Sequence, residues 1–223
     1  MKIVKVDEAI QQNGLKVLVY GQPGSGKTML AATTGGRPLI ISAEAGLLSL
    51  AGRDIDVVEA QNMESLREIY EYLSKNGDDG KYDWIVLDSI SEVAEVVLAN
   101  EKTIAKDPRQ AYGALADTMA MLLRAFRDLP RNVYMSAKLE RTKDDATGAM
   151  LFSPTMPGLK LGQLLPYLFD EVFVLRVEKD AEGNPQRWLQ TVGDHQYVAK
   201  DRSGKLDPFE LPNLSDIATK IRS

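Results

Sequence analysis

The segment GQPGSGKT, residues 21–28, constrains the fold more than any other stretch of the chain. It matches the pattern G-x-x-x-x-G-K-[ST] and lies between a predicted strand, LKVLVY (15–20), and a helix predicted over about 27–34. Glycines let the backbone curl so that successive N–H groups face one anion-sized hollow, and the following helix offers its positive end. The segment therefore predicts a loop that holds the phosphates of a nucleoside triphosphate. The predicted nucleotide-binding residues are Gly21, Gln22, Pro23, Gly24, Ser25, Gly26, Lys27, Thr28 and Met29.

Short β-rich runs alternate with helical patterns along much of the chain, which favours an α/β fold with a mainly parallel sheet. The stretch 139–163 is rich in charge, Gly and Pro, and we predict that it is a loop. Beyond it, AEGNP separates two β-rich runs and predicts a hairpin, so the C-terminal extension is expected to be rich in β-structure. Further strands are predicted at 39–43, 55–60, 82–89 and 132–137, with helices after Asn62, after 89 and over about 110–129.

The composition is that of an ordinary globular protein, with 44% hydrophobic and 26% charged residues. Its 223 residues suit one domain, which we predict over 1–223, with a nucleotide-binding core at 15–177 and a C-terminal hairpin segment at 178–212. The absence of Cys is typical of a reducing cytoplasm. We see no signal-like segment or membrane span and expect a cytoplasmic protein with no membrane partner. The net charge of −5 argues against a general basic field for nucleic acid.

A carboxylate ends the apolar run WIVLDS, at Asp88. Open parallel sheets bind ligands at the carboxyl ends of their strands, so Asp88 is expected close to the phosphate loop. With the hydroxyl of Thr28, it is predicted to hold Mg²⁺, while Lys27 reaches the β and γ phosphates. A nucleoside triphosphate and Mg²⁺ are therefore the expected ligands.

A second acid, Glu44, follows the apolar run LIISA directly. Hydrolysis needs a group that orients the attacking water, and the position of this group differs between classes of phosphate-loop protein. In AAA-type ATPases a Glu usually follows the strand-ending Asp, but here Ser89 follows it. In RecA-like proteins the Glu ends the strand after the phosphate-loop helix, which is the place of Glu44. We therefore predict a RecA-like core in which Glu44 activates water.

The C-terminal half carries a more specific likeness, in GALADTMAMLLRAFRDLPRNVYMSAK, FDEVFVLRVEKD, RWLQT and YVAKDRSGKLDP. With the phosphate loop, these segments resemble the small phage RecA-like ATPases of the Sak type over roughly residues 15–212. Those proteins anneal single strands and are often labelled AAA-family nucleotide-binding proteins. The resemblance implies an ATPase that uses Mg²⁺, binds single-stranded DNA, promotes recombination between homologous strands in a phage and works with a single-strand-binding protein.

Related ring and filament ATPases carry a Lys-x-Arg like that of Lys200 and Arg202, which reaches the γ phosphate bound by the neighbouring subunit. By this resemblance both residues are catalytic in trans, and the active form is a homo-oligomer, either a ring or a filament. A cation supplied in this way stabilises the charge that builds up on the transferring phosphoryl group. RecA-like proteins also carry a polar residue at the position of Lys138, and the resemblance makes Lys138 a sensor of the γ phosphate.

Contacts with DNA are predicted on the segments that flank the last central strand. Lys and Arg side chains contact nucleic-acid phosphates, and exposed aromatic rings such as that of Phe152 stack on bases. A second candidate is the segment 102–113, which we expect to be a loop. The DNA-binding residues predicted from these segments are Arg109, Arg131, Arg141 and Lys143.

Three other functions use the same phosphate loop. A helicase or helicase loader would have the same core without recombinase activity. A small-molecule kinase would need an acceptor pocket and an Arg-rich lid, and the sequence shows no convincing lid. A nucleotide-gated binding protein would bind the triphosphate and hardly hydrolyse it.

Overall fold

A ten-stranded sheet organises the fold in the computed structural model, which describes residues 3–44, 46–145 and 147–223. The strands are β1 (Lys16–Gly21), β2 (Pro38–Ser42), β3 (Asp56–Glu59), β4 (Trp84–Asp88), β5 (Asn132–Lys143), β6 (Met150–Thr155), β7 (Glu171–Lys179), β8 (Pro185–Gln190), β9 (Lys200–Asp201) and β10 (Phe209–Glu210). The α-helices are α1 (Val6–Asn13), α2 (Lys27–Leu30), α3 (Met63–Ser74), α4 (Ile90–Ile104), α5 (Pro108–Arg127), α6 (Leu159–Leu168) and α7 (Leu214–Arg222). Two 3₁₀ turns, Ala31–Thr33 and Leu47–Leu50, complete the ordered elements.

The strand order is β10-β8-β7-β1-β5-β4-β2-β3, with β6 paired to β5 and β9 paired to β7. The six strands from β7 to β3 in this order run parallel to one another. The remaining pairings, of β6, β8, β9 and β10, are antiparallel. The predicted α/β fold with a mainly parallel sheet and a β-rich C-terminal part is therefore confirmed.

Alternating side chains of β1 enter two separate cores, one on each face of the sheet. Leu18 and Tyr20 pack with α3, α4, α5 and α6, whereas Val17 and Val19 pack with α7 and the helix after the phosphate loop. All six residues of β1 are buried. Because successive side chains of a strand point to opposite faces, burial of both faces requires a nearly continuous apolar run. This is why LKVLVY contains so few polar residues.

Polar side chains at the helix starts explain where the long helices begin. Asn62 caps α3: its side chain accepts from the backbone N–H of Ser65, whose hydroxyl in turn accepts from the N–H of Asn62. Asp107 caps α5, and Pro108 takes the first helical position, where no N–H is needed. These caps fix the first residues of α3 and α5, which pack on the same face of the sheet.

The prediction of a loop over 139–163 was wrong. Strand β5 continues to Lys143 and pairs with β6 in an antiparallel hairpin, and α6 follows from Leu159. The charges and glycines of this stretch serve the exposed face and the turn of a hairpin, because a strand outside the core needs no apolar run. The segment 102–113 is also not a loop, since it spans the end of α4 and the first turns of α5. In the described part of the chain, no helix combines the length and apolar character needed to cross a membrane.

Candidate functional site

The phosphate loop follows β1 at the carboxyl edge of the sheet and has the geometry of an anion cradle. Gly24 and Gly26 adopt φ values of +74° and +109°, which favour glycine. A Cβ on Gly21 would lie 2.8 Å from the carbonyl oxygen of Leu175 and 2.9 Å from Oγ of Ser25, so a side chain there would force the loop open. The curl continues into α2, a single α-helical turn followed by 3₁₀ structure, instead of the continuous helix expected over 27–34. The observed backbone therefore fits a phosphate chain.

Lys27 holds its ammonium group inside this loop. Its Nζ donates to the carbonyl oxygens of Gly21, at 2.9 Å, and Gln22, at 3.0 Å. Burial lowers the pKa of Lys27, while the nearby charges of Asp88 and Glu44 act in the opposite direction. A lysine that is drawn out of water and held by carbonyl groups is ready to exchange these partners for phosphate oxygens.

A chain of oxygen atoms links Thr28, Asp88 and Ser136 across three elements. Oγ1 of Thr28 donates to Oδ2 of Asp88 at 2.6 Å, and Oγ of Ser136 donates to the other carboxylate oxygen. Asp88 is 6% exposed at the end of β4. These are hard oxygen donors, which suit Mg²⁺, and Mg²⁺ usually takes few protein ligands and completes its shell with water and substrate phosphates. Thr28 and Asp88 would therefore hold Mg²⁺ with water and phosphate oxygens, and within the described ranges no group of three or more His, Asp or Glu side chains could hold a metal ion.

Glu44 lies close to this chain, two residues past the end of β2. Ser42, the last residue of β2, is paired with Asp88 in the sheet register. The Oγ of Ser89 donates to Oε1 of Glu44 at 3.3 Å, and the exposed Glu44 lines the same cavity as Asp88. The predicted water-activating acid and the predicted Mg²⁺ ligand are thus brought together at the carboxyl ends of two adjacent strands.

One cavity of about 940 Å³ contains these groups, which is large enough for a nucleoside triphosphate. Its lining combines the acids and cations of the phosphate chemistry with less polar side chains. The loop glycines and polar residues of the lining include Gly21, Gly24, Gly26, Lys27, Thr28, Thr33, Ser42, Glu44, Asp88, Ser89, Lys138 and Arg187. The less polar residues include Met29, Leu30, Leu175 and Pro212.

Lys138 lies opposite Gly21 in the register of β1 and β5, at the border of this cavity. Its side chain is about half exposed and forms an ion pair with Glu92 of α4. The hydrogen bond with Glu92 raises the pKa of Lys138. Lys138 also lines a second cavity of about 370 Å³ with Lys102 and Tyr112, so this one residue borders both cavities.

Lys200 and Arg202 lie at the opposite edge of the sheet from the phosphate loop. Lys200 pairs with Val172 near the start of β7, and Val17 near the start of β1 pairs with the adjacent Glu171. About 13 Å of strand separates Val17 from Gly21, at roughly 3.3 Å per residue. Any contact of these cations with a γ phosphate would therefore have to be made to a neighbouring subunit's nucleotide.

The two cations differ in how free they are for such a contact. Nζ of Lys200 donates to the carbonyl oxygens of Pro166, at 2.7 Å, and Phe169, at 2.5 Å, and burial lowers its pKa. Arg202 forms an ion pair with Asp170 at 2.6 Å, with 61% of its side chain exposed. Arg202 is therefore the accessible member of the pair, and Lys200 holds the end of α6.

The position of Arg131 does not fit the DNA contact predicted for it. It precedes β5, at the edge of the sheet away from the phosphate loop, and its side chain is 8% exposed. The guanidinium is paired with the fully buried carboxylate of Asp78, including a 3.0 Å bond from Nη2 to Oδ1, and also donates to Asn76. A guanidinium buried against a carboxylate has no surface for DNA phosphate, so Arg131 is a structural residue.

The remaining predicted DNA-binding residues are exposed. Arg109 lies in the first turn of α5, and Arg141 and Lys143 lie on β5 where the β5–β6 hairpin projects beyond the carboxyl edge. The ring of Phe152, on β6, stacks on that of Tyr197 with centroids 4.6 Å apart and planes 11° apart.

Two arginines continue this stack at its ends. The guanidinium carbon of Arg141 is 6.0 Å from the centroid of Phe152, and that of Arg176 is 4.9 Å from the centroid of Tyr197. We call Arg141, Phe152, Tyr197 and Arg176 the Arg–aromatic stack. Tyr20 supports it from β1, because its hydroxyl donates to the carbonyl oxygens of Phe152 and Val198.

Sequence reasoning missed two polar residues of the site. Ser136 is fully buried in β5 and bonds to Asp88, and a lone hydroxyl in the apolar run NVYMSA was the signal that would have indicated it. Arg187, on β8, donates from Nε to the carbonyl oxygen of Ser25 in the phosphate loop at 2.9 Å. No local pattern marks Arg187, because its position depends on the register between β7 and β8.

Comparison with known proteins places this geometry in a family. A family model described as "AAA domain" (AAA_24) matches residues 13–203. No curated protein matches the chain. Among solved structures, a KaiC-like protein from the hyperthermophilic archaeon Pyrococcus horikoshii OT3 aligns over 78% of this chain and 76% of that chain, with 15% identity and a TM-score of 0.43.

Proposed function

The chain belongs to the AAA domain family AAA_24, and from that premise we propose that it is a Mg²⁺-dependent ATPase that binds single-stranded DNA and promotes annealing of homologous strands. Nucleotide binding by a phosphate-loop ATPase domain is the part that the family supports directly. The DNA substrate and the annealing activity are the proposal, together with a homo-oligomeric active form and cooperation with a single-strand-binding protein.

The observation that carries the DNA part is the Arg–aromatic stack, part of which lies on the β5–β6 hairpin. Proteins that hold single strands without reading sequence combine a cationic groove for the backbone with aromatic rings for the bases. Here half-buried rings are flanked by guanidinium groups, on a hairpin that begins at Lys138, a residue of the nucleotide cavity. This surface combines charge with aromatic rings, and a base would stack on a ring by taking the place of one of the guanidinium groups.

The cavity supports hydrolysis as the reaction. Glu44 borders the cavity near Asp88 and is free to accept a proton from, or orient, the attacking water, since its bond from Ser89 is long at 3.3 Å. Thr28 and Asp88 would hold Mg²⁺, which when bound would neutralise charge on the phosphates. Lys27 offers a cation to the phosphate chain, and Arg202 offers another from a neighbouring subunit.

The position of Lys138 suggests how the two surfaces communicate. Its ammonium is paired with Glu92 and also interacts electrostatically with Glu44. A γ phosphate in the cavity would compete with Glu92 for this ammonium. Because Lys138 is the first residue of β5 that pairs with β6, a change of partner there would act directly on the hairpin that carries Arg141 and Phe152.

A binding experiment tests the DNA part. Fluorescence anisotropy of a labelled single strand should show that Arg141→Ala and Phe152→Leu each weaken binding about 5- to 50-fold, from the loss of a phosphate contact or a stacked base. Arg67→Ala is the matched control, because it removes an exposed arginine from α3. Arg141→Ala should also reduce the salt dependence of binding by about one counterion, whereas Phe152→Leu should not. Equal affinities for all four proteins would refute the proposed surface.

Subunit mixing tests the trans part. Glu44→Gln and Arg202→Ala should each lower DNA-stimulated ATP turnover by about a hundredfold or more, because each removes one half of a composite site. A mixture of the two variants should regain activity, since some interfaces then combine an intact Glu44 with an intact Arg202. No recovery at any ratio would count against a site shared between subunits.

The alternatives predict different results in the same assays. Directional, ATP-driven unwinding without annealing would indicate a helicase or a helicase loader. Transfer of the γ phosphate to a metabolite, with no response to single strands, would indicate a kinase. Turnover that is unchanged in Glu44→Gln would indicate a protein that binds the nucleotide and hardly hydrolyses it.

A further inference from the structure

Arg187 reaches the phosphate loop from a different part of the fold than the other cations. It lies on β8, opposite Val177 of β7, in the hairpin near the C-terminus. Its Nε donates to the carbonyl oxygen of Ser25 at 2.9 Å. A Cβ built on Gly26 would be 3.4 Å from that Nε and 3.6 Å from Cδ of Arg187. The arginine therefore lies against the last glycine of the loop, where the absence of a side chain leaves room for it.

The terminal amino groups of Arg187 are uncommitted. Within the described ranges, neither has a hydrogen-bond or ion-pair partner, although the side chain is exposed and lines the nucleotide cavity. The single bond to Ser25 fixes the guanidinium at its Nε and leaves the other two nitrogens free. A planar guanidinium with two free donors is suited to bidentate binding of a phosphate.

Ser25 supports this arrangement from the loop side. It is 1% exposed, and among the described residues its Oγ has no hydrogen-bond partner. The loop is therefore held at this point through the main chain of Ser25, by Arg187. A change in the β7–β8 hairpin would reach the loop through this bond and through Leu175 of β7, whose carbonyl oxygen lies close to Gly21.

We propose that Arg187 is a phosphate-binding residue of the nucleotide site that acts in cis, from the same subunit that supplies the loop. This deepens the nucleotide-binding part of the proposed function and does not depend on the DNA part. Arg187 differs from Arg202 in a testable way, because its contribution needs no neighbouring subunit. Arg187 also lies beside Gly26, in the loop that holds the α and β phosphates. The affinity for ADP should therefore depend on Arg187 as the affinity for ATP does.

Isothermal titration of dilute protein measures this directly. Arg187→Ala should lower the affinity for ADP, ATP and tripolyphosphate by about 10- to 100-fold each, because charge-assisted hydrogen bonds to phosphate are lost. Arg187→Lys should recover part of the affinity, because it keeps the charge without the fork. Lys179→Ala is the matched control, since it removes an exposed cation from the same hairpin and should leave all three affinities within twofold of wild type.

Three results would overturn the inference. Wild-type affinities in Arg187→Ala would remove Arg187 from the site. Weaker ATP binding with unchanged tripolyphosphate binding would assign it to the base instead of the phosphates. Equal losses in Arg187→Ala and Arg187→Lys, with a lower melting temperature of the nucleotide-free protein, would make it purely structural. If wild type itself bound none of the three ligands, the nucleotide-binding function would fail along with the inference.

Discussion

Glu171→Gln should make the protein more stable at neutral and alkaline pH. Glu171 begins β7 and is 1% exposed, and its Oε2 has no hydrogen-bond partner among the described residues. Burial, together with the adjacent Asp201, raises the pKa of this carboxyl to about 8. Asp201 stays ionised because it accepts from Ser203, Gly204 and Leu206, so Glu171 is the member of the pair that carries the proton.

The direction and size of the effect follow from proton linkage. The folded pKa of about 8 lies above the ordinary value of 4.5, so between these pH values the folded state holds a proton that the unfolded state releases. The free energy of unfolding of wild type therefore falls as pH rises through this window, by about 4 kcal/mol between pH 5 and pH 9, at ~1.4 kcal/mol per pKa unit. Glutamine keeps a donor for Asp201 and cannot ionise, so Glu171→Gln should lack this loss.

Urea unfolding followed by circular dichroism at pH 5, 7 and 9 measures the difference. The two proteins should have similar stability at pH 5, and the variant should exceed wild type by a few kcal/mol at pH 9. Taking the difference removes the other titrating groups, such as Lys16, whose burial lowers its pKa to about 8. Glu68→Gln is the control, because it makes the same change at an exposed carboxylate of α3 and should leave the pH dependence unchanged. Parallel pH profiles for wild type and Glu171→Gln would refute the reasoning.

Substitutions at three further positions test structural assignments by the same unfolding measurement. Arg131→Ala should lower the free energy of unfolding by about 3–5 kcal/mol, because it leaves the carboxylate of Asp78 buried without its partner. DNA affinity should be unchanged under conditions where the variant is folded. A selective loss of DNA binding would contradict the structural role. Tyr20→Phe should cost about 1–3 kcal/mol, since its hydroxyl donates to two backbone carbonyl oxygens under the Arg–aromatic stack; an unchanged stability would mean that these bonds contribute nothing. Asn62→Ala should cost about 1 kcal/mol through loss of the α3 cap, whereas Asn62→Ser should retain most of it.

The phosphate site was predictable because its determinants are local or follow from strand ends. The glycines of GQPGSGKT allow the backbone conformation of the phosphate loop. The next strand follows soon after the loop and is marked by an apolar run of its own. Asp88 and Glu44 each end an apolar run, and parallel strands bring their carboxyl ends to one edge. The sheet register pairs Ser42 with Asp88, so Glu44, two residues after Ser42, follows the strand end that lies next to Asp88.

The features that sequence reasoning missed depend on contacts between distant segments. The sequence predicts a loop where the β5–β6 hairpin lies, because the charged residues of a projecting hairpin show no apolar periodicity that would indicate strands. Arg131 was read as a surface cation, although Asp78, some fifty positions earlier in the chain, buries it. A side chain's charge predicts a function only when its exposure is known, and exposure is set by the tertiary fold.

The β7–β8 hairpin shows how one element can serve both faces of the sheet. Arg176 and Val177 are adjacent on β7 and therefore point to opposite faces. On one face Arg176 lies over Tyr197 in the Arg–aromatic stack, and on the other the partner of Val177, Arg187, reaches Ser25. If both proposals hold, the nucleotide and the DNA strand contact the same hairpin from its two sides. Binding at either surface would then restrict the hairpin that the other surface uses, which links the two affinities without any long path through the core.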